Sequence, residues 1–413
     1  MSELLLLPSP TRRRLRLPSG PAFYLQASIV VFFLAGSSAP TPLYALYQRE
    51  WGFSSITTTI VFAVYALAVL IALLTVGSLS DYIGRRPVLF TAVVVQALTM
   101  LAFATASSVD ELLWIRVIQG LSTGAAVAAV GAGMLDIDRS RGTIANSVSA
   151  PIGTAIGAIG SGLLVQFLPA PTHLVYLVLS GVFAVQAVGV ALMPETSSRQ
   201  PGALASLRVS FGLPAIVRVP LLVAAPALVA AWALAGFYGA LGPSIVKRMI
   251  GHNSFVLGGA ALFALAATGA VTLMLLRNAA PRTVMLLGTT GLILGVGVTV
   301  LALDAASIWL FFAGTVVAGA GFGAAFQGAV RSIVPLARPH ERAGVLSIVY
   351  VISYLAMGVP AVVGGFLVVH GGGLLVTARE YGVAVMVLAA SALAGLLLRS
   401  APAAVTSVCP AQA

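Results

Sequence analysis

Two short runs carry most of the side chains that could do chemistry in this chain. The first is Gly77-Ser78-Leu79-Ser80-Asp81-Tyr82-Ile83-Gly84-Arg85-Arg86-Pro87. Asp81 can accept hydrogen bonds at a helix amino terminus or pair with an arginine, while Arg85 and Arg86 can reach carboxylates or lipid phosphates. Gly77 permits close helix approach and Gly84 a tight turn. Such a loop can lock one part of a membrane protein against another; the plainer reading is that its arginines hold the loop on one side of the bilayer. The second run is Arg116-Val117-Ile118-Gln119-Gly120-Leu121-Ser122-Thr123-Gly124. An arginine within an apolar helix costs about 2.5–3.5 kcal/mol on insertion scales, so Arg116 must face a wet cavity or a polar partner. Gln119 and Thr123 fall near its face. The alternative is that Arg116 snorkels to the surface, helped by Asp110 and Glu111.

Carboxylates are absent from the middle of every apolar run. Asp81, Asp110, Glu111, Asp136, Asp304 and Glu380 all fall near run ends or in loops. A titratable coupling group, which needs burial and alternating exposure, is therefore sought in Asp136 or the Asp110/Glu111 pair. Polar or aromatic residues within the runs are candidates to line a central cavity: Gln26, Pro40, Thr41, Tyr65, Trp232, Phe237, Tyr238, Phe326, Gln327, Tyr350 and Tyr354. Packing or an interfacial position is the plainer role for each aromatic. His173, His252, His340 and His370 share no metal-ligand spacing, and Cys409 is the one cysteine, so neither a metal nor an internal disulfide is expected. No GxxxxGK[ST] loop is present, so no nucleotide cofactor is expected either.

The elements that must position these residues are membrane helices. Of 413 residues, 59% are apolar and only 8% charged, too few charges to cover a water-exposed surface. A helix needs about 20 apolar residues to cross the hydrocarbon. Runs of that size occur at roughly 22–44, 56–78, 87–107, 111–134, 143–167, 174–193, 220–244, 255–276, 283–303, 307–330, 343–369 and 381–399. Lipid offers backbone polar groups no partner, so these runs must be helical. The basic start, Arg12, Arg13, Arg14 and Arg16, precedes a run that resembles a secretory signal, but eleven more runs follow and it reads as a retained first span.

With the amino terminus inside, 17 of 22 Lys and Arg lie on the cytoplasmic side: Arg12, Arg13, Arg14, Arg16, Arg85, Arg86, Arg139, Arg141, Arg199, Arg208, Arg218, Arg277, Arg282, Arg331, Arg338, Arg342 and Arg399. Arg49, Lys247, Arg248 and Arg379 lie outside and Arg116 within a span. This bias supports an even number of crossings with both termini cytoplasmic. The net charge of +11 is spread over short gaps, which argues against nucleic acid as a partner.

The longest polar break, 194–219, divides six spans from six and reads as a linker with one interfacial helix. The expected organisation is a basic tail over 1–21, a bundle over 22–193, the linker, a second bundle over 220–399 and a tail over 400–413. Gly120, Gly124, Ala125 and Ala126 recur as Gly319, Gly323, Ala324 and Ala325, and Asp81, Gly84 and Arg85 as Asn278, Pro281 and Arg282. Weak symmetry at half the chain length marks repeated transporter bundles.

From about residue 22 to 399 the chain resembles the major facilitator superfamily, on the strength of the Gly77–Pro87 loop and its place between spans two and three. The resemblance implies an all-α polytopic fold, twelve transmembrane helices in two pseudo-symmetric six-helix bundles rocking about a central site. It implies that Asp81 faces His340, Glu341, Arg342, Ala343 and Gly344 at the start of span eleven in the outward-open state. Asn278 departs from the family's pattern, so an asymmetric lock is expected. The Arg116 run is similar to the family's fourth-helix motif, with the arginine in coupling or substrate handling near the cavity lined by spans one, four, seven and ten. Pro151, Gly153, Gly157, Gly160 and Gly162 in span five only partly resemble the antiporter motif of drug exporters, because Ala158 stands where a proline would match; simple helix packing is the plainer reading. Pro194-Glu195-Thr196 is similar to members with drug or sugar substrates. The expected function is proton-coupled efflux of a small, partly apolar compound by a monomer in the lipid bilayer of a bacterial inner membrane. Uptake of an organic acid or other metabolite is the alternative, and a polytopic enzyme or receptor the rival from another class.

Overall fold

A computed structural model describes residues 17–207 and 212–398. The basic tail with Arg12, Arg13, Arg14 and Arg16, the linker residue Arg208, and the carboxy-terminal tail with Arg399 and Cys409 lie outside the described residues. Among the described residues, twelve helices are long and apolar enough to cross a membrane. In chain order the helices are α1 (Ser19–Ser38), α2 (Tyr44–Trp51), α3 (Ser55–Thr75), α4 (Leu79–Ile83), α5 (Arg85–Thr105), α6 (Val109–Ile137) and α7 (Arg139–Phe167). They continue as α8 (Leu174–Leu192), α9 (Ala215–Ile250), α10 (Phe255–Leu275), α11 (Pro281–Asp304), α12 (Ile308–Ile333), α13 (Arg342–His370) and α14 (Leu374–Leu398). All but α2 and α4 are spans.

Three spans depart most from their expected limits: α9 runs over Ala215–Ile250 rather than 220–244, α14 starts at Leu374 rather than 381, and the first span is broken. The helix expected over 22–44 stops at Ser38, turns through residues 39–43, and resumes as the short α2. Pro40 and Pro42 cause this, since neither has an N–H with which to continue the ladder. In place of an interfacial helix, the described part of the linker forms one turn of 3-10 helix, Ala205–Leu207.

Two apolar cores hold the helices together. One is built from residues between Ala22 and Met193, the other from residues between Val217 and Ala392 plus Ala158. The glycine repeat has the same structural use in both. A Cβ on Gly120 would fall 2.5 Å from Ala68 of α3, and on Gly124 2.6 Å from Ala72 of α3. In the second half, a Cβ on Gly319 would fall 2.5 Å from the Leu265 carbonyl, and on Gly323 2.5 Å from the Gly269 carbonyl, both on α10. These glycines let α6 close onto α3, and α12 onto α10, at backbone distance.

The halves meet along α3 with α13 and α7 with α10. Side chains at Gly365 and Gly358 would strike Thr59 and Ala63, one at Gly239 would strike Phe62, and one at Gly162 would strike Phe255. Gln166 at the end of α7 accepts from the Val256 N–H at 3.0 Å and the Ser254 hydroxyl at 3.2 Å. All these contacts lie in the half of the molecule remote from the linker, so the halves are sealed at that far face. Exposed Trp114 and Trp309 lie near the starts of α6 and α12 at the same face, where amphipathic rings mark a membrane interface. In α7, Gly153 and Gly157 let α1 approach and Gly162 lets α10 approach, while Gly160 faces open space. Helix packing therefore accounts for three of the four glycines.

Candidate functional site

At the linker face, the Gly77–Pro87 loop organises an ion network. The Asp81 carboxylate pairs with the Arg85 guanidinium. Arg85 also reaches Asp136 through Nε at 3.2 Å and donates to the Ser80 hydroxyl at 2.7 Å. Thr196 donates to the same Asp136 oxygen at 3.2 Å. The Glu195 carboxylate sits on the amino terminus of α5 and accepts from the N–H groups of Arg85 at 2.8 Å and Arg86 at 3.1 Å. A negative charge there satisfies two orphan donors and complements the helix dipole. Gly84 makes this possible with φ +105°, where a Cβ would lie 3.0 Å from the Glu195 carboxyl carbon. The Arg86 guanidinium closes onto the Ala191 carbonyl at the end of α8.

The loop is stitched to the linker as well. Gln200 N–H donates to the Tyr82 carbonyl at 2.9 Å, Ser197 to the Asp81 carbonyl at 3.2 Å, and Ser78 to the Ser206 carbonyl at 2.8 Å. Asp81 therefore does not face the residues 340–344 that the resemblance assigned to it. Its ion pair is made inside its own half, and Gly344 abuts Gly212 of the linker instead. The expectation belonged to the outward-open state, whereas here the halves are sealed at the far face. In the second half, Arg282 donates to the Leu396 carbonyl at 2.9 Å, and Arg331 to the carbonyls of Leu276 at 3.2 Å and Ala279 at 2.8 Å. Among the described residues, the acceptors recorded for these two arginines are backbone carbonyls.

Arg116 is 1% exposed, so it does not snorkel. Its guanidinium donates to the Ser37 carbonyl at 3.0 Å, to Gln119 Oε1 at 2.6 Å and to the Tyr44 hydroxyl. It also lies 5.3–5.8 Å from the ring centres of Tyr65, Phe103 and Tyr44, within cation–π range. Gln119 in turn donates to the Gly36 carbonyl at 3.0 Å, and Ser161 to the Ala39 carbonyl at 2.6 Å. These are the acceptors left over where α1 breaks. The residue four after Gly36 is Pro40, which has no N–H to give. Arg116 and Gln119 therefore hold the break in the first span. Asp110 and Glu111 are exposed at the start of α6, and Glu111 accepts from the Ser107 N–H at 2.7 Å.

The remaining candidates divide between bundle interiors and the zone below the far-face seal. Gln26 is buried against Gly133 and donates to the Met193 sulfur at 3.5 Å. Thr41 is buried in the break of the first span. Phe237 stacks on Tyr381 at 4.3 Å, and Tyr238 stacks on Phe311 with its hydroxyl 2.9 Å from that of Thr315. Both line a small cavity of about 30 Å³ inside the second bundle, away from the zone where the halves face each other. Trp232 sits at mid-helix in α9, with its ring centre 5.4 Å from Phe326, 5.4 Å from Tyr354 and 6.2 Å from Phe322. Tyr354 of α13 and Tyr65 of α3 both lie on the linker side of the Gly358–Ala63 approach that joins those two helices. Gln327 donates to the Leu273 carbonyl at 3.1 Å, leaving its Oε1 buried without a partner. The Trp232 Nε1–H is also buried without an acceptor.

Glu195 and Phe322 are the residues that sequence reasoning missed. Phe322 lies four before Phe326, one turn away on the same face of α12, which was the available signal. Glu195 was visible only as part of Pro194-Glu195-Thr196, and no spacing rule places it on a helix that starts 110 residues earlier.

The sequence profile described as Major Facilitator Superfamily matches residues 27–279, more than half of the chain. The chain belongs to the major facilitator superfamily. Its fold is accordingly that of a secondary transporter working by alternating access, and not of an enzyme. Among its relatives, it is 30% identical to Citrate exporter 1 of Aspergillus niger over 125 residues, 29% of this chain and 24% of that protein. It is 31% identical to the inner membrane transport protein YnfM of Escherichia coli over 124 residues, 30% of each. It is 28% identical to the MFS-type transporter YybF of Bacillus subtilis over 148 residues, 33% of this chain and 36% of that one. These alignments span roughly a quarter to a third of each relative. Two solved structures share the fold over nearly their whole length. A bacterial homologue of the human lysosomal transporter Spinster, inward-facing and unoccupied, has TM-score 0.72 at 13% identity, covering 93% of this chain and 99% of that one. The nucleoside transporter NupG has TM-score 0.67 at 12% identity, covering 92% and 98%.

Proposed function

We propose that this superfamily member exports a small, partly apolar organic compound across a bacterial inner membrane. The observation that carries the reading is the aromatic cluster of Trp232, Phe322, Phe326 and Tyr354, at mid-membrane depth on the linker side of the far-face seal. A site lined by rings at the meeting of two bundles suits a ligand with apolar surface. The arginine bias supports a cytoplasmic linker face, with both termini on that side and the chain acting as a monomer. The sealed far face then corresponds to an inward-facing state, the state of the Spinster homologue that shares this fold. Substrate enters the cluster from the cytoplasm in this state, and the ion network re-forms across the halves when they rock. Proton exchange, the coupling expected of an exporter, is assigned to Asp136, the carboxylate that Arg85 and Thr196 hold at the linker face.

Everted vesicles containing the chain, loaded by dilution into a panel of fluorescent apolar compounds, test the reading directly. Uptake into everted vesicles that is lost in Trp232→Ala supports export. Uptake that occurs only into right-side-out vesicles, or that is indifferent to Trp232, favours import of a metabolite by another site.

A further inference from the structure

The charges around the Trp232 cluster narrow what it can hold, given that it is the transport site. A cation held by aromatic rings away from water needs a carboxylate nearby, and the described carboxylates all lie toward the faces: Asp81, Asp136, Asp138, Glu195 and Glu341 on one side, Glu50, Asp110, Glu111, Asp304 and, within the first two turns of α14, Glu380 on the other. A buried positive charge lies in the facing half. Arg116 lies 5.3 Å from the Tyr65 ring centre, and Tyr65 and Tyr354 of the cluster both lie on the linker side of the Ala63–Gly358 approach between α3 and α13. Among the described residues no carboxylate pairs with Arg116, so its field opposes a cation in the cluster.

An anion fares no better by direct contact. Arg116 is 1% exposed; three of its N–H groups bond Ser37, Gln119 and Tyr44, and its Nε–H is enclosed with them without an acceptor among the described residues, so an anion in the cluster reaches it only by opening the packing that holds the break in α1. Without that bond, an anion would lose its hydration for no charge-assisted partner. A neutral acceptor meets neither objection. The Trp232 Nε1–H is buried and has no acceptor among the described residues, a state that costs about 1–3 kcal/mol until something satisfies it. The field of Arg116 also favours the negative end of a dipole on that side.

We infer that the Trp232 cluster binds a flat, uncharged aromatic compound that presents a hydrogen-bond acceptor to the Trp232 indole N–H. This rests on the cluster being the transport site only for its physiological meaning; binding itself is independent of transport. The rings of Phe322 and Phe326 stand edge-on to the indole at interplanar angles of 70° and 75°, the geometry in which aromatic groups pack favourably against one another.

The test is isothermal titration of the full chain in nanodiscs, with empty nanodiscs as control, against four ligands of similar shape. These are 2-acetylnaphthalene (neutral with an acceptor), naphthalene (neutral without), 2-naphthoate (anion) and N-methylquinolinium (cation). The expected order places 2-acetylnaphthalene first, roughly tenfold tighter than naphthalene, from one net hydrogen bond. Trp232→Phe keeps a ring but removes the donor, and should bring the two neutral ligands within twofold of each other. Naphthalene binding by that variant reports that it is folded; should the variant not fold, the ranking by the native chain decides alone. Tightest binding of the anion or the cation overturns the inference, as does a tenfold preference that survives Trp232→Phe, or no binding of any of the four. The expected ranking with no vesicle uptake of 2-acetylnaphthalene would leave the inference standing and remove the export reading.

Discussion

Gln119 donates to the Gly36 carbonyl at 3.0 Å across two helices, in the place of the N–H that Pro40 does not have. This one bond explains why a glutamine is buried in an apolar span and ties α6 to the bend in the first span. If Pro40 creates the need, the two residues must be energetically coupled. Gln119→Leu should cost about 1–3 kcal/mol in the native background, as expected for a buried acceptor left unpaired. With Pro40→Ala present, an N–H becomes available to Gly36 and the cost should fall by at least about 0.5 kcal/mol. Unfolding of the four proteins in mixed micelles measures this. Equal costs in both backgrounds would show that the bond does not answer to the proline.

Arg116 divides its donors among the Ser37 carbonyl, Gln119 and the Tyr44 hydroxyl while lying over three rings. A lysine cannot reproduce that planar fork. Arg116→Ala should destabilise the protein by roughly 3 kcal/mol, and Arg116→Lys should recover less than half of that. Thermal unfolding of the purified variants is the measurement. Full rescue by lysine would mean that charge alone matters at this site.

Gly84 holds φ at +105° and leaves the Glu195 carboxylate room on the α5 amino terminus. Gly84→Ala meets both a strained backbone and the carboxylate, and should lose about 2 kcal/mol. Glu195→Gln keeps the shape but not the charge, and should lose about 0.5–1 kcal/mol. Proteolysis of the linker in each variant provides the readout, since Gln200 and Ser197 bond the same loop. Linker cleavage at the native rate in Gly84→Ala would contradict the account.

Gln166 and Ser254 join the two halves at the sealed face through a bond of 3.2 Å. Gln166→Cys with Ser254→Cys, in a background where Cys409 is replaced, should therefore be bridged through mixed disulfides by a short bis-methanethiosulfonate reagent, which stops transport reversibly. Reduction should restore the rate. Transport that continues with the bridge formed would mean that this face does not open during the cycle.

The two halves of the lock differ, because Asp81 pairs with Arg85 whereas Arg282 and Arg331 donate to backbone carbonyls. Asp81→Asn should slow transport more than Asn278→Ala in proteoliposomes. Asp136→Asn should abolish acceleration by a pH gradient while leaving equilibration intact. Gradient-driven transport that persists without Asp136 would reassign the proton, and a native protein indifferent to the gradient would make it a uniporter.

Much of the architecture could be read from residue types alone. Apolar runs of bilayer length leave the backbone no partner but itself, so twelve helices follow from composition. The glycine repeat at Gly120/Gly124 and Gly319/Gly323 pointed to two related bundles, because only glycine admits a neighbouring backbone at that distance. The spacing of Arg116 and Gln119 put both on one helix face. It could not say that the face looks at a broken helix rather than at a cavity.

Local periodicity determines which residues share a helix face, and runs of apolar residues determined the twelve spans. What that periodicity cannot carry is which helix a face meets, since the choice rests on contacts between residues far apart in the chain. Tertiary structure alone put Glu195 on the amino terminus of α5, turned Arg116 from an expected substrate contact into the pin of the α1 break, and moved Phe237 and Tyr238 into the second bundle. In each case a buried polar or aromatic group took the partner that relieved its desolvation, and that partner is defined only once the helices have packed.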